Sequence, residues 1–263
     1  MNMLDMVKSS SEVFEEYVNS FSGLSPGQQK NFDIKREHSL RVAENALQLS
    51  GALKMDEQDK KTAFLTGMFH DTGRFSQLIT YNTFNDAVSV DHASLSVEIL
   101  REEGFLDMWT DKPSQDIIFY AIEHHNRLAL PSKAEEKQLL HARLLRDADK
   151  LDILKVITDY YTNKNQEPNH TLTWELPKAN SVSPGVTKAV LNGKLVSKND
   201  VLSELDVKIM QLSWIYDINF KASVEIILNN RYLEKIYSSL PKNDTVIDIY
   251  RKIKIFANNK LFE

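Results

Sequence analysis

The residues best suited to chemistry in this chain are histidines and aspartates. There are seven histidines and no cysteine. His38, His70, His92, His124 and His125 fall in or beside segments with helical periodicity. His70 is followed directly by Asp71 in the stretch GMFHDTGRF, at the end of an apolar run containing Ala63, Phe64, Leu65, Met68 and Phe69. A further carboxylate pair, Asp147 and Asp149, lies in RDADKLDIL. From His38 to His70, His92, His125 and Asp149 the steps are 32, 22, 33 and 24 residues. Each step fits one helix and one connection, so each helix would bring one donor to the inside of a bundle, where such metal sites are built. Imidazole with carboxylate suits Mn, Fe, Co, Ni or Zn rather than an all-oxygen Ca or Mg cage. The two oxygens of Asp71 allow it to bridge two ions. A divalent pair beside a phosphate ester lowers the pKa of a bound water and neutralises phosphoryl charge.

The elements that must position these donors read as helices. Periodicity predicts helices over 9–22, 34–53, the segment KMDEQDKKTAFLTGMFHD, 92–103, 114–127 and 134–160. A turn is expected at SGLSPGQQ, a loop around Pro131, and no clear period over 72–90. The 134–160 helix is apolar on more than one face, as a central helix would be. Residues 162–185 form a polar, proline-containing excursion, with short strand pieces expected at TLTWEL and a hairpin-like Asn-Gly in VLNGKLV. Helical patterning returns over 201–257, and LSWIYDINFKASVEIIL reads as a buried helix pair. The expected fold is all-α: residues 1–160 form a helical bundle, and residues 161–263 an irregular excursion and helical extension packed on it.

Composition narrows the class of function. The apolar fraction is 42% and the charged fraction 26%, ordinary for a globular protein. The net charge of −5 makes no basic footprint, so no nucleic-acid duplex is expected as a partner. No apolar stretch approaches a membrane span. The N-terminus lacks the features of a signal peptide. Without cysteine, disulfides and thiolate metal sites are excluded, and cytoplasmic location is the expectation.

Burial patterns alone leave two choices open. His125 shares a stripe with Ile118, Ala121 and Ile122, but His124 shares one with Ile117 and Ala121. Asp149 lies on a row with Ala142, Leu145, Ile153 and Val156, and Asp147 on one with Leu140, Leu144, Leu151 and Leu154.

The order His38, His70-Asp71, Asp149 resembles the H…HD…D signature of the HD-domain metal-dependent phosphohydrolase superfamily. FHDTGRF resembles its HD helix end, and RDADKLDIL the helix with its last Asp. VDHASLSVEIL and AIEHHN resemble the segments that supply further histidines in its two-metal members. The resemblance covers roughly residues 30–158. It implies an all-helical bundle and one or two divalent transition-metal ions. It also implies a first ligand set of His38, His70, Asp71 and Asp149, with His92 and His125 completing a second. It prefers His125 over His124 and Asp149 over Asp147, which becomes a residue orienting a ligand.

The resemblance further implies hydrolysis of a phosphate ester or pyrophosphate bond in a small phosphorylated molecule, expected to be a nucleotide. Lys150 and Arg74 would contact phosphate; otherwise each holds a carboxylate, with Asp86, Asp91 and Asp152 as candidates. Asp91 is expected to cap the helix at residue 92. Tyr81, Phe84 and Phe75 are candidates for a base pocket or for packing. HHNRLALPS carries no GYP segment, which argues against a cyclic-dinucleotide phosphodiesterase of the kind that has one. Two alternatives share the same residues: a non-catalytic nucleotide-binding regulatory module, and a di-iron oxygenase. The aromatic residues of 161–263 would either cover the site or form a homodimer surface.

Overall fold

A computed structural model describes residues 1–163, 174 and 176–262. Within these residues the secondary structure is helical and contains no strand. The chain divides into two compact units, Met1–Asp149 and the residues from Lys150 onward. No helix among the described residues is long and apolar enough to cross a membrane.

The first unit contains α1 (Met3–Asn19), α2 (Pro26–Ala52), α3 (Glu57–Phe69), α4 (Gly73–Tyr81), α5 (His92–Glu103), α6 (Lys112–His124) and the first half of α7 (Glu136–Thr162). Their starts follow from capping chemistry. Ser25 caps α2, with Pro26 in the first turn and a reciprocal bond from the Ser25 amide to Gln28 Oε1. The helix therefore begins inside the stretch expected to be a turn. Asp56, Asp91 and Asp111 cap α3, α5 and α6, and Gly104 ends α5 in the left-handed region at φ 63°.

Other expectations also shift in this unit: α1 runs over Met3–Asn19 rather than 9–22. Residues 72–90 hold a helix, α4, followed by a short 3-10 turn at Asp86–Val88. The helix has nine residues, and its buried face mixes Phe75 and Leu78 with Gly73 and Gln77, so no apolar period shows. The helix expected over 114–127 stops at His124, and His125 is its C-terminal cap.

Two glycines set how closely the helices approach. A Cβ at Gly67 would stand 2.8 Å from the Ala43 Cα and 2.9 Å from the Val42 carbonyl, so α2 and α3 touch backbone to backbone. A Cβ at Gly73 would stand 2.6 Å from the His92 carbonyl and 2.7 Å from the Ser96 amide, which brings α4 onto α5. An aromatic cluster packs on the same residues. Phe14 meets Phe69 and Phe75 edge-on at 6.1 and 5.9 Å, and Phe32 meets Phe75 at 5.0 Å. Phe69, one residue before His70, is stacked near Trp109 at 6.2 Å.

At the far end of α3, Asp59 receives Lys137 through both carboxylate oxygens at 2.9 and 3.0 Å, and the buried His141 Nε2 lies 3.3 Å away. Burial pushes the His141 pKa below its ordinary value, against the pull of Asp59.

The second unit holds the rest of α7 and α8 (Pro184–Leu191), α9 (Glu204–Ser213), α10 (Lys221–Asn229), α11 (Tyr232–Ser238) and α12 (Asp244–Asn259). Its core is Val186, Val190, Ile209, Leu212, Ile227, Ile236, Ile249 and Ile253. The Asp206 carboxylate accepts from the Ser183 amide and hydroxyl and from the Leu202 amide, tying the α8 and α9 starts together. The Asn-Gly of VLNGKLV terminates α8 rather than turning a hairpin: Gly193 is left-handed at φ 69°, and its amide donates to the Val190 carbonyl. LSWIYDINFKASVEIIL is the end of α9, a 3-10 turn at Trp214–Asp217, and α10. The strand pieces expected at TLTWEL lie, except for residues 174 and 176, outside the described residues.

Two outcomes follow. Gly67→Ala is expected to lower unfolding stability by about 1–3 kcal/mol, the cost of forcing volume into a packed contact; an unchanged urea midpoint would contradict the close approach. The unfolded chain takes up a proton at His141 below its ordinary pKa, near 6.5, while the folded chain resists it. Stability is therefore expected to fall as pH drops below about 6.5, and His141→Gln should flatten part of that loss in melts recorded across the range.

Candidate metal centre

All six donors expected from the sequence meet in the first unit. His38 comes from the middle of α2, and His70 and Asp71 from the one-turn junction between α3 and α4. His92 is the first residue of α5, His125 caps α6, and Asp149 lies on α7. The four imidazoles and Asp71 are buried, and the Asp149 side chain is 19% exposed.

The Asp71 carboxylate divides the site. Its Oδ2 faces His38 Nε2 and His70 Nε2, each at 3.7 Å. Asp149 Oδ1 closes that side, 3.1 Å from His38 Nε2 and 3.9 Å from His70 Nε2. The other oxygen, Oδ1, faces His92 Nε2 at 3.5 Å and His125 Nε2 at 3.9 Å. Donor atoms of His38, His70 and Asp149 lie within 4.8 Å of one another, as do those of His70, Asp71 and His125.

Proton placement prepares these atoms for a cation. His70 Nδ1 donates to the Gly67 carbonyl at 2.7 Å, and His125 Nδ1 to the Ile122 carbonyl at 2.6 Å. His92 Nδ1 donates to Asp86 Oδ2 at 2.6 Å. With the proton held on Nδ1, each Nε2 presents a lone pair inward. His70 Nε2 is buried without a hydrogen-bond partner. His92 Nε2 and His125 Nε2 face each other at 3.1 Å. Opposed lone pairs and a buried orphan acceptor are costly unless a cation sits among them, so the donor set fits a metal.

The electrostatics point the same way. Burial pushes the His70 and His125 pKa values down, His125 well below its ordinary value, which keeps both imidazoles neutral. Burial works against the Asp71 carboxylate, but the Lys35 and Arg74 cations beside it hold its pKa well below the usual range. Burial likewise opposes the Asp149 carboxylate, and the hydrogen bond from His38 outweighs it, so its pKa lies below the usual range.

The remaining candidates fall as follows. His124 sits edge-on to Tyr120 at 4.5 Å and lines a cavity with Val97, Arg101 and Ile117, away from the six donors. Asp147 is fully buried. Asp91 caps α5 by accepting from the Ala93 and Ser94 amides. Arg74 lies in the first turn of α4, and its Nη1 donates to the Gln77 side chain, the Phe84 carbonyl and Asp86 Oδ1. Lys150 pairs with Asp217 at 2.6 Å in the second unit. Phe75 is core, Tyr81 is exposed, and the Phe84 ring lies 5.7 Å from Lys35 Nζ and 5.8 Å from the Arg74 guanidinium carbon.

The sequence did not single out Lys35, whose ammonium is 2.7 Å from Asp71 Oδ2. Its one signal is a position three before His38 on the same helix face. Gln77 carries no signal in the sequence. The buried Arg146 donates to the His124, His125 and Arg127 carbonyls, satisfying the open end of α6 and fixing His125 there.

Asp71→Ala removes the one carboxylate that faces both groups. It is expected to abolish retention of transition metal by the purified chain. His125→Ala is expected to leave the His38, His70 and Asp149 group able to keep one ion, and His124→Ala to change nothing. Elemental analysis after metal loading and desalting reads all three, and full occupancy in Asp71→Ala would break the assignment.

Residues 36–154 match the family model of the HD domain. The matched stretch contains all six donors. No curated protein and no solved structure matches the chain significantly. The order of the donors, the helical unit that gathers them and the family match agree: residues 36–154 are similar to the HD domain.

Proposed function

We propose that this chain is a metal-dependent phosphohydrolase that cleaves a phosphate ester or pyrophosphate bond in a small phosphorylated molecule, a nucleotide being the preferred class. The observation that carries the reading is the Asp71 carboxylate, with one oxygen toward His38, His70 and Asp149 and the other toward His92 and His125. One divalent ion would be held by His38, His70, Asp71 and Asp149 and a second by Asp71, His92 and His125; bound there, such ions activate water and offset phosphoryl charge.

The chain's own residues supply the rest. Lys35 places an ammonium against Asp71, and its side chain is 21% exposed, within reach of a ligand at the mouth. Arg74 Nε lies 3.7 Å from Asp71 Oδ1. A phosphoryl group approaching Asp71 meets these two cations. Arg74 would have to exchange Asp86, and Lys150 would have to exchange Asp217, before either could bind phosphate directly. Lys35 needs only to turn from Asp71. We therefore assign it the first phosphate contact, with Arg74 and Lys150 as further ones. Phe84, beside both cations, offers a face on which a base could stack.

The test is release of phosphate or pyrophosphate from a panel of nucleoside mono-, di- and triphosphates, cyclic nucleotides and sugar phosphates, with each of Mn, Fe, Co, Ni and Zn. Turnover should be lost with chelator and in Asp71→Ala. Lys35→Met removes a charge-assisted bond worth about 1.5–3 kcal/mol, so kcat/KM should fall by roughly 10- to 100-fold, chiefly through KM. A metal-loaded chain that binds nucleotide and releases nothing would overturn the reading in favour of a regulatory module. Oxygen consumption by an iron-loaded chain would overturn it in favour of an oxygenase.

A further inference from the structure

The segment between α4 and α5 has no apolar period, yet it is held by a closed set of hydrogen bonds. Arg74 Nη1 donates to the Phe84 carbonyl at 2.6 Å, to Asp86 Oδ1 at 2.9 Å and to Gln77 Oε1 at 2.8 Å. The fully buried Gln77 turns its Nε2 to Asp86 Oδ1 at 2.9 Å, Ser89 Oγ at 2.8 Å and the Val90 carbonyl at 3.0 Å. Asn85 Oδ1 accepts from the Ala87 amide and closes the 3-10 turn from within. Two side chains of α4 thus grip the segment at Phe84, Asp86, Ser89 and Val90.

What this grip delivers is one carboxylate at one place. Asp86 Oδ1 accepts from both Arg74 and Gln77, and Asp86 Oδ2 accepts from His92 Nδ1. Both oxygens must be acceptors, which only a carboxylate provides. The bond on Nδ1 keeps the His92 proton there and leaves Nε2 bare. That Nε2 points at Asp71 Oδ1 and at His125 Nε2. His70 and His125 take the equivalent bond from their own helix ends, three residues back. His92 begins its helix, so no preceding turn of α5 can supply a carbonyl, and the donor's partner must come from outside.

We infer that Asp86, held by Arg74 and Gln77, is the positioning residue for His92, and that it sets the affinity of the second cation subsite without touching that cation. The inference rests on the metal reading given above. Outer partners of ligand imidazoles act in this way, and their loss commonly weakens a metal by 10- to 100-fold. Asp86→Asn makes the case sharply. If the new amide keeps its oxygen toward Arg74 and Gln77, it turns an N–H toward His92 Nδ1. The imidazole proton must then move to Nε2, the tautomer whose inward-facing nitrogen has no lone pair for a cation.

Two readouts on the full chain test this. Nitrogen-15 NMR of the histidine side chains, without metal, is expected to show His92 with its proton on Nδ1 in the natural chain and on Nε2 in Asp86→Asn. Titration with Zn2+ alone is expected to show two uptake steps in the natural chain. In Asp86→Asn the second should be at least tenfold weaker and the first unchanged. Asp86→Ala, which leaves no partner, should show a mixture of tautomers and the same weakened step, and it serves if the Asn variant does not fold. A variant in which either readout matches the natural chain overturns the role of Asp86. A natural chain with the Nδ1 proton in place but no Zn2+ uptake overturns the metal reading itself, and the second subsite with it.

Discussion

The first unit is organised around a cost: four imidazoles and two carboxylates must converge inside an apolar helical core. Buried polar atoms without partners are expensive, and nearly every half of these groups that does not face the centre has one. The solution is to end helices at the site. A helix leaves its last carbonyls unbonded, and His70 and His125, at the ends of α3 and α6, each donate Nδ1 back to such a carbonyl. The same bonds aim Nε2 at the centre. Helix termination and ligand orientation are therefore one device, and the lone pairs it leaves bare are what a cation would satisfy.

Bringing the helix ends together requires close backbones. Gly67 lets α3 lie against α2, and Gly73 lets α4 lie against α5. Each glycine is three residues or fewer from the His70-Asp71 pair. The aromatic cluster on Phe69 and Phe75 fixes the same junction from its apolar side. Small residues thus govern the distances, and large ones hold them.

The charge pattern links this frame to the proposed chemistry. Asp71 is buried, yet Lys35 and Arg74 keep it ionised. Their positive charge at the mouth suits an anionic ligand, whereas two carboxylates at the base suit a cation. α4 contributes Arg74 and Gln77, which hold the segment that carries Asp86. The least periodic part of the unit is for that reason tied to the one ligand histidine that starts a helix.

Much of this was legible in one dimension. Helix starts at α3, α5 and α6 depend on a single capping residue each, a local interaction that needs no partner from elsewhere. The spacing of His38, His70-Asp71, His92, His125 and Asp149 carried the order of the donors, because a helix and its connection consume a predictable length. What stayed hidden depends on contacts across the fold. α4 was missed because its buried face is completed by Gln77 and Gly73, whose burial only α5 and the following segment create. The Asn-Gly after Val190 read as a hairpin because the same dipeptide also ends helices. Lys35 is an ordinary surface-type residue in the sequence, and Asp86, a candidate there only as a partner for Arg74 or Lys150, gives no sign of its bond to His92. The amino-acid sequence by itself determined the locally capped helices and which residues could bind a cation. Only the tertiary structure decided which oxygen of Asp71 faces which histidines, and where each imidazole keeps its proton, because those depend on partners far apart in the chain.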